Sequence, residues 1–332
     1  MAKTGSFSGA ISLGLSAKLT RISSEPLIVH YSLERRILYV IIGFVALVAS
    51  IIIGFTMHGG KLAALAQISE FIIIGGAGLS SLLAATSFKR VIAIMKDTIG
   101  LLKPDPFSRA AYIELLQTLH EISNLSRREG LLALESHVER PEFSDIFERF
   151  PLFSRNRHAV AFLCDSLRLV IMGGVGIYEL QEMMDEDIRT HDEDVKRNPS
   201  LVSRIGDAMP GFGIVAAVLG VVVTMQAING PPEQIGHKVG AALVGTFLGV
   251  LLCYGVFSPI AMALEARAEA SVSYLICLKA GISAFAQGMS PILVVEFARR
   301  SIEPEVRPTF QEIEGVVKGR SMASDEDHSA AA

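Results

Sequence analysis

The sequence predicts an all-α polytopic membrane protein with four transmembrane helices and a helical cytoplasmic region. Of its 332 residues, 50% are hydrophobic while 19% are charged. That mixture is typical of several membrane spans combined with a substantial soluble portion. The apolar stretches also come in two pairs, each joined by a short loop. Each stretch is about 20 residues long, enough to cross a hydrocarbon core of about 30 Å.

Two long soluble regions accompany the paired spans. Five segments are predicted: a cytoplasmic N-terminal tail (1–36), spans 1 and 2 (37–87), a cytoplasmic helical domain (88–204), spans 3 and 4 (205–263), and a cytoplasmic C-terminal helix with a disordered tail (264–332). Apolar residues recur at helical spacing in the middle region, and no alternating run predicts a strand. We expect one helical region over 158–197 and one continuous helix from Pro259 to about Ile302.

The distribution of basic residues predicts the orientation in the membrane. Of the 30 lysine and arginine residues, only Lys61 and Lys238 fall in the short loops that join paired spans. Basic residues are retained on the cytoplasmic side of membrane proteins. Both termini and the middle region are therefore predicted to be cytoplasmic.

Small residues form a stripe on one face of each of spans 3 and 4. Gly213 and Gly220 lie in the third span, and Gly245 and Gly249 lie in the fourth. Small residues let helix backbones approach closely in lipid, where packing rather than the hydrophobic effect holds helices together. The pattern fits a plain packing seam and a functional wall equally well.

The sequence gives little support for a soluble enzyme. It contains no P-loop, dinucleotide-binding glycine pattern, HExxH motif or nucleophile–base set. The three cysteines, Cys164, Cys253 and Cys277, lack metal-ligand or redox spacing and are expected to be buried apolar residues. No cofactor or metal is therefore expected. A net charge of −4 gives no reason to expect nucleic acid as a partner.

The predicted spans lack an ionisable residue at their centres. Glu70 and Asp207 sit at span ends. Ionisable groups inside a membrane are costly and mark function, so an ion path here would need its titrating group from another chain. Thr246 would offer a hydroxyl group midway across, although such a threonine often donates to the carbonyl group four residues earlier.

Several motifs resemble the MotA family of flagellar stator subunits, within the MotA/TolQ/ExbB proton channel superfamily. They are PGFGIVAAVLGVV, GAALVGTFLGVLLCYGVFSPIA, SRREGLLALE, MDEDIRTH and PILVVEFARR. The similarity runs from about Ile37 to about Val317, with the same order of spans and soluble regions. The 36 residues before the first span depart from the family pattern, and their role is left open.

The resemblance implies an inner-membrane protein that works with several partners. Five copies would surround a MotB dimer, which supplies a membrane aspartate, and the ring would push the rotor protein FliG. The resemblance assigns an ion-path role to Pro210, Ala217, Thr246 and Pro259. It assigns the rotor contact to Arg127 and Glu135, with their neighbour Arg128 as a further candidate.

Two classes of function stay open at this point. The first is a motor stator, and the second is an ExbB/TolQ-like energiser that couples proton flow to an outer-membrane system. Four spans and the segment with Arg127 and Glu135 favour the stator, since the energisers usually have three spans. A passive scaffold would leave the uncharged stripe of small residues in spans 3 and 4 unexplained. The resemblance also predicts proton coupling, because Ala217 stands where sodium-driven relatives carry a threonine hydroxyl.

Overall fold

The computed structural model describes residues 26–226 and 228–316, with side chains from residue 42 onward. All regular elements within these ranges are helical, which confirms the predicted all-α class. The helices are α1 (Pro26–Met57), α2 (Ile68–Ala85), α3 (Phe88–Gly100), α4 (Arg109–Glu129), α5 (Glu135–Glu139), α6 (Asp145–Glu148), α7 (Pro151–Ser154), α8 (Arg157–Met172), α9 (Ile177–Gln226), α10 (Pro232–Leu252), α11 (Ser258–Ala286) and α12 (Pro291–Arg300). A last short helix covers residues 310–316.

The helices include three stretches that are long and apolar enough to cross a membrane. They are α2, the apolar end of α9 and the run from α10 into α11. α1 adds a shorter apolar stretch, Ile42–Met57. The protein is therefore a multi-pass membrane protein.

The termini of the chain lie only partly within the described residues. α1 begins at Pro26, inside the segment predicted as a tail. Residues 1–25 lie outside the described residues, as does the predicted disordered tail beyond residue 316. The chain divides into two units between Ile51 and Ile52. All contacts given below lie within the second unit.

One face of α2 packs against α9 and α10. Its buried residues are spaced four apart along the helix: Glu70, Ile74, Gly78 and Leu82. Residues four apart share one helix face. On this face Ile74 joins a small apolar cluster with Met209 and Ala216 of α9 and Leu248 of α10.

The longest helix, α9, joins the soluble part of the chain to the membrane part. It contains 50 residues and passes Pro199 and Pro210 without ending. At 1.5 Å per residue it is about 75 Å long. α11 runs alongside it and returns from the span toward the soluble part. Continuous helix therefore joins the membrane part of the chain to its soluble part.

The soluble helices pack around one apolar core. Its buried side chains come from α4 to α9, α11 and α12 and from segments between them, and they include Tyr112, Leu116, Leu163, Leu278 and Val294. The Tyr274 hydroxyl in this core donates to the Ala111 carbonyl group at 3.2 Å. We call this cluster the cytoplasmic core, following the predicted orientation.

The helix predicted from Pro259 to about Ile302 is interrupted, so that prediction is wrong, and the helical region predicted over 158–197 contains two helices. Gly173 and Gly174, with φ of 69° and 83°, separate α8 from α9. Gly288, with φ of 72°, lies between α11 and α12. Such left-handed backbone angles favour glycine and commonly end helices. The breaks allow α8 and α12 to pack against α11.

Candidate functional site

The small residues of α9 and α10 bring the two helix backbones into contact. A Cβ atom added at Gly213 would lie 2.7 Å from the Gly245 carbonyl oxygen and 3.2 Å from the Gly249 Cα atom. A Cβ atom at Gly249 would lie 2.5 Å from the Met209 carbonyl oxygen. A side chain there would force the backbones apart. We call this α9–α10 contact the seam, and it contains all four glycines expected to pack helices: Gly213, Gly220, Gly245 and Gly249.

Ala217 and Thr246, the two residues expected to line the ion path, both lie along the seam. The position of a Cβ atom at Gly245 is 3.2 Å from the Ala217 amide nitrogen. The position of a Cβ atom at Gly213 is 3.3 Å from the Thr246 Cα atom. Both residues are partly buried.

The hydroxyl group of Thr246 on α10 differs from that of Thr224 on α9. The Thr224 hydroxyl donates to the Gly220 carbonyl group at 2.8 Å, the back-bond that occupies many helical threonines. Within the described part of the chain, the Thr246 hydroxyl has no hydrogen-bond partner. It is therefore available to a water molecule or to a group from a partner chain.

Pro210 and Pro259 lie toward the same end of the seam. A Cβ atom at Gly206 would lie 2.8 Å from Phe257 Cβ, which sets the chain before Pro210 beside the chain before Pro259. A π-helical segment, Cys253–Phe257, precedes Pro259. Proline lacks an amide donor, and π segments relieve such gaps in the helix ladder. A groove of about 350 Å³ lies between α9 and α11 there, with polar lining residues Lys196, Ser200, Ser203, Arg204, Ser258 and Glu265.

A carboxyl group that sequence reasoning placed at a span end is buried against the seam. Glu70 is 5% exposed, and its Oε2 atom has no hydrogen-bond partner among the described residues. A Cβ atom at Gly245 would lie 2.5 Å from Oε2, so the carboxyl group sits against a position that has no side chain. Glu70 is in the first turn of its own helix, yet it meets α10 near the middle.

The sequence contains a signal for this placement that our reasoning missed. Glu70 begins the same four-residue stripe as Ile74, Gly78 and Leu82. That stripe is the buried face of α2. A glutamate in register with it points toward the other spans rather than toward water.

The charged residues expected to contact the rotor lie far along the chain from the seam. Arg127 and Arg128 occupy the last turn of α4, and Glu135 begins α5. Gly130, with φ of 91°, ends α4, and a short 3-10 turn leads into α5. All three charged side chains are exposed and have no ion-pair partner within the described ranges. We call these three residues the charged surface.

Ionisable groups in the cytoplasmic core are either paired or buried. Glu296 accepts hydrogen bonds from Arg299 Nε at 2.7 Å and Arg300 Nε at 2.7 Å. The bond from Arg299, with the bond from Arg300, lowers the pKa of Glu296 to about 2. Burial raises the pKa of the Cys277 thiol to about 12. All three cysteines are free and buried, as the sequence predicts.

Comparison with known proteins identifies the family. The model described as Motility protein A N-terminal matches residues 41–130, and that of the MotA/TolQ/ExbB proton channel family matches residues 155–275. Motility protein A of Salmonella typhimurium and that of Escherichia coli are each 33% identical over 279 residues, covering 84% of this chain and 95% of the relative. The chain belongs to the motility protein A family.

Other relatives and solved structures agree with this assignment. Chemotaxis protein LafT of Vibrio parahaemolyticus is 32% identical over 273 residues, covering 82% of this chain and 96% of LafT. The C. jejuni MotAB structure has a TM-score of 0.66 at 23% identity, covering 80% of this chain and 96% of that chain. The Bacillus subtilis MotAB stator complex has a TM-score of 0.63 at 23% identity, covering 77% and 92%. The two solved structures therefore share the fold of this chain.

The family matches cover most of the candidate site. The channel-family match includes the seam and both prolines, and the N-terminal match includes Glu70, Arg127 and Arg128. Glu135 falls between the two matched ranges. The seam therefore lies within the range that matches the channel-family model.

Proposed function

We propose that this chain is the stator subunit of a bacterial flagellar motor, which with MotB converts ion flow across the inner membrane into torque. The observation that supports this proposal most strongly is the similarity of the chain to named motility proteins along 84% of its length. The MotAB stator structures that share its fold support MotB as the partner. The separate match to the motility protein A N-terminal model favours this function over an ExbB/TolQ-like energiser.

The proposed topology has four spans with both termini in the cytoplasm. The three long apolar helices and the apolar stretch Ile42–Met57 support four crossings. The scarcity of basic residues in the loops that hold Lys61 and Lys238 supports the orientation. The segments 1–36, 37–87, 88–204, 205–263 and 264–332 are proposed as the tail, first span pair, cytoplasmic domain, second span pair and C-terminal part.

The proposed mechanism begins at the seam. Its glycines leave a narrow wall, against which a MotB helix with a membrane aspartate could approach closely. The free hydroxyl group of Thr246 could hydrogen-bond to water in the path. Pro210 and Pro259, at the end beside the charged groove, would mark the cytoplasmic exit. A change in the charge of the partner aspartate would change how favourably the wall packs against it.

Five copies around a MotB dimer would turn that local change into rotation. The long α9 and its neighbour α11 join the seam to the cytoplasmic core by continuous helix. A displacement of the spans would therefore move the charged surface of Arg127, Arg128 and Glu135. That surface would push complementary charges on FliG, since exposed charges act mainly on recognition and encounter.

The side chains along the seam are the basis on which we propose proton coupling. Ala217 supplies no side-chain oxygen, and Thr246 supplies one. A sodium ion that sheds its water needs several oxygen ligands, whereas a proton needs only a carboxyl group and a hydrogen-bonded path. Swimming speed should therefore hold when external Na⁺ is replaced by K⁺ at fixed proton motive force. A collapse of speed in K⁺ would contradict proton coupling.

Reconstitution tests the function itself. Proteoliposomes that contain this chain and MotB should conduct protons under a membrane potential, and those with either protein alone should not. Replacing the membrane aspartate of MotB by asparagine should stop the flux. The same pair should restore swimming to a strain that lacks its stators. Failure of both the flux and the swimming would reject the stator function.

The charged surface has its own test. Arg127→Glu and Glu135→Lys should each impair swimming while membrane assembly and proton flux stay normal. Opposite charge changes on FliG should partly restore swimming. Arg155→Glu reverses an exposed charge outside the charged surface and serves as the matched control. Normal swimming of the Arg127 and Glu135 variants, singly and together, would remove this surface from the rotor contact.

A further inference from the structure

The surroundings of Glu70 are unusual for a carboxyl group. The point beside its Oε2 atom where a Gly245 Cβ would stand is also 3.1 Å from Ala216 Cβ and 3.2 Å from the Ala217 amide nitrogen. The nearest heavy atoms to that point besides Oε2 thus belong to two alanines of α9. A polar side chain that is 95% buried and has no partner among the described residues calls for a ligand.

The elements that pack against Glu70 offer no compensating charge near it. The stretch 210–226 of α9 contains no Asp, Glu, Lys, Arg or His, and neither does the stretch 239–252 of α10. Two further elements lie at other helix ends. Cys253 follows the C-terminal end of α10, and α3 follows the C-terminal end of α2, whereas Glu70 lies in the first turn of α2. Burying an unpaired carboxylate costs more than protonating it. The neutral acid is therefore the form that suits this position.

We propose that Glu70 is a proton-binding group of the ion path, which exchanges protons with water beside Ala217 and Thr246. The inference rests on the proposed function and adds a carboxyl group of this chain to a path whose aspartate comes from MotB. The neutral carboxyl accepts a proton on its free oxygen from a protonated water (H₃O⁺), which becomes water, and gives its own O–H proton to a second water molecule, which leaves as H₃O⁺. One O–H bond breaks and one forms, so the carboxyl stays neutral.

The geometry gives two neighbours to this exchange. Thr246 follows Gly245 in the chain, and its hydroxyl, which lacks the back-bond of Thr224, is free to hydrogen-bond to water in the path. Gly245 must remain without a side chain, because its Cβ position lies 2.5 Å from Oε2. The glycine thus serves the carboxyl group as well as the helix contact.

Proton flux through the reconstituted complex with MotB tests the proposal. Glu70→Gln keeps the size of the side chain but cannot give up a proton, so flux should fall at least about tenfold. Glu70→Asp keeps an acid and should restore much of the flux. Glu233→Gln removes an exposed carboxyl group in the first turn of α10 and should leave the flux unchanged. Wild-type flux in Glu70→Gln would overturn the proposal.

Infrared spectroscopy supplies a readout that a packing role would not move. The wild-type protein should show the carbonyl stretch of a protonated, buried carboxylic acid, and the band should shift on exchange into D₂O. The band should be absent from Glu70→Gln. If that variant does not assemble with MotB, the comparison is made on the subunit alone. A spectrum without this band would overturn the proposal.

The contact with Gly245 is tested by a pair of substitutions. Gly245→Ala should lower the thermal stability of the subunit, and Glu70→Ala in the same chain should recover part of the loss. Absence of recovery would show that the carboxyl group is not against Gly245 and would overturn the proposal. The two hypotheses fail differently. If the wild-type complex conducts no protons, the proposed function is rejected. If the wild-type complex conducts and Glu70→Gln leaves the flux unchanged, only the role of Glu70 is rejected.

Discussion

The seam and the cytoplasmic core hold their helices together in opposite ways. The core is built from large side chains that are almost fully buried, among them Tyr112, Phe153, Leu163 and Tyr274. At the seam, the closest approaches join Gly213, Gly245 and Gly249 to backbone atoms of the facing helix. One chain therefore contains both packing solutions, joined by the continuous α9.

The difference follows from the two solvents. In water, burial of apolar surface drives folding, so a large side chain contributes more than a small one. In lipid, apolar surface gains little by leaving the surrounding chains, and close backbone packing contributes instead. A wall of small residues also leaves room for polar groups such as the Glu70 carboxyl and the Thr246 hydroxyl. The proposed ion path would therefore run along the region that must stay small.

The strongest expected effect is on the cytoplasmic core. Leu163→Ala removes a fully buried side chain and should lower the free energy of unfolding by about 2–5 kcal/mol. The measurement is thermal or denaturant unfolding of the purified subunit in detergent. Leu132→Ala, which truncates a side chain that is 74% exposed, is the matched control and should change little. Equal losses in the two variants would contradict the assignment of Leu163 to the core.

At the seam, adding one methyl group should also be damaging, although less so than truncating a large side chain in the core. Gly249→Ala places a Cβ atom 2.5 Å from the Met209 carbonyl oxygen and 3.0 Å from Gly213 Cα. We expect a loss of about 1–3 kcal/mol, the range for overpacking.

Gly240→Ala is the control for the seam, because a Cβ atom there meets nothing within 4 Å. It should be neutral or stabilising by up to about 1 kcal/mol, since alanine favours the helix over glycine. The two glycine variants on one helix should therefore differ in sign. The same sign in both would show that the seam can open to admit a side chain.

The sequence predicts much of this comparison, and its failures have a physical reason. Apolar length and small-residue spacing predict the spans and the glycines of the seam, because both depend on local pattern. The breaks at Gly173 and Gly288 escape prediction, since a glycine in an apolar run can either continue or end a helix. The stripe on α2 indicates that Glu70 is buried, but the contact of Glu70 with Gly245 escapes prediction for another reason. It depends on how far α2 slides along α10, and that register is set by tertiary packing.

The smallest expected effect is a difference between the two regions in how their contribution to stability depends on pH. The seam is held by neutral contacts, whereas the core also contains the ion pairs of Glu296 with Arg299 and Arg300. These bonds lower the pKa of Glu296 from 4.5 to about 2. A carboxyl group with a lowered pKa in the folded state stabilises the protein above its unfolded pKa. That contribution is lost as the pH falls from about 4.5 toward 2.

Glu296→Gln should therefore cost about 1 kcal/mol at neutral pH, since solvent screens the exposed Arg300 partner. Its disadvantage relative to the wild type should shrink as the pH is lowered through this window. Glu305→Gln removes an exposed carboxyl group nearby and serves as the control. The measurement is the unfolding free energy of the three proteins between neutral and acidic pH. Because Gly249→Ala acts through backbone contact, its cost should stay constant over the same range. If Glu296→Gln keeps its full disadvantage at low pH, its effect comes from packing, and charge does not distinguish the core from the seam.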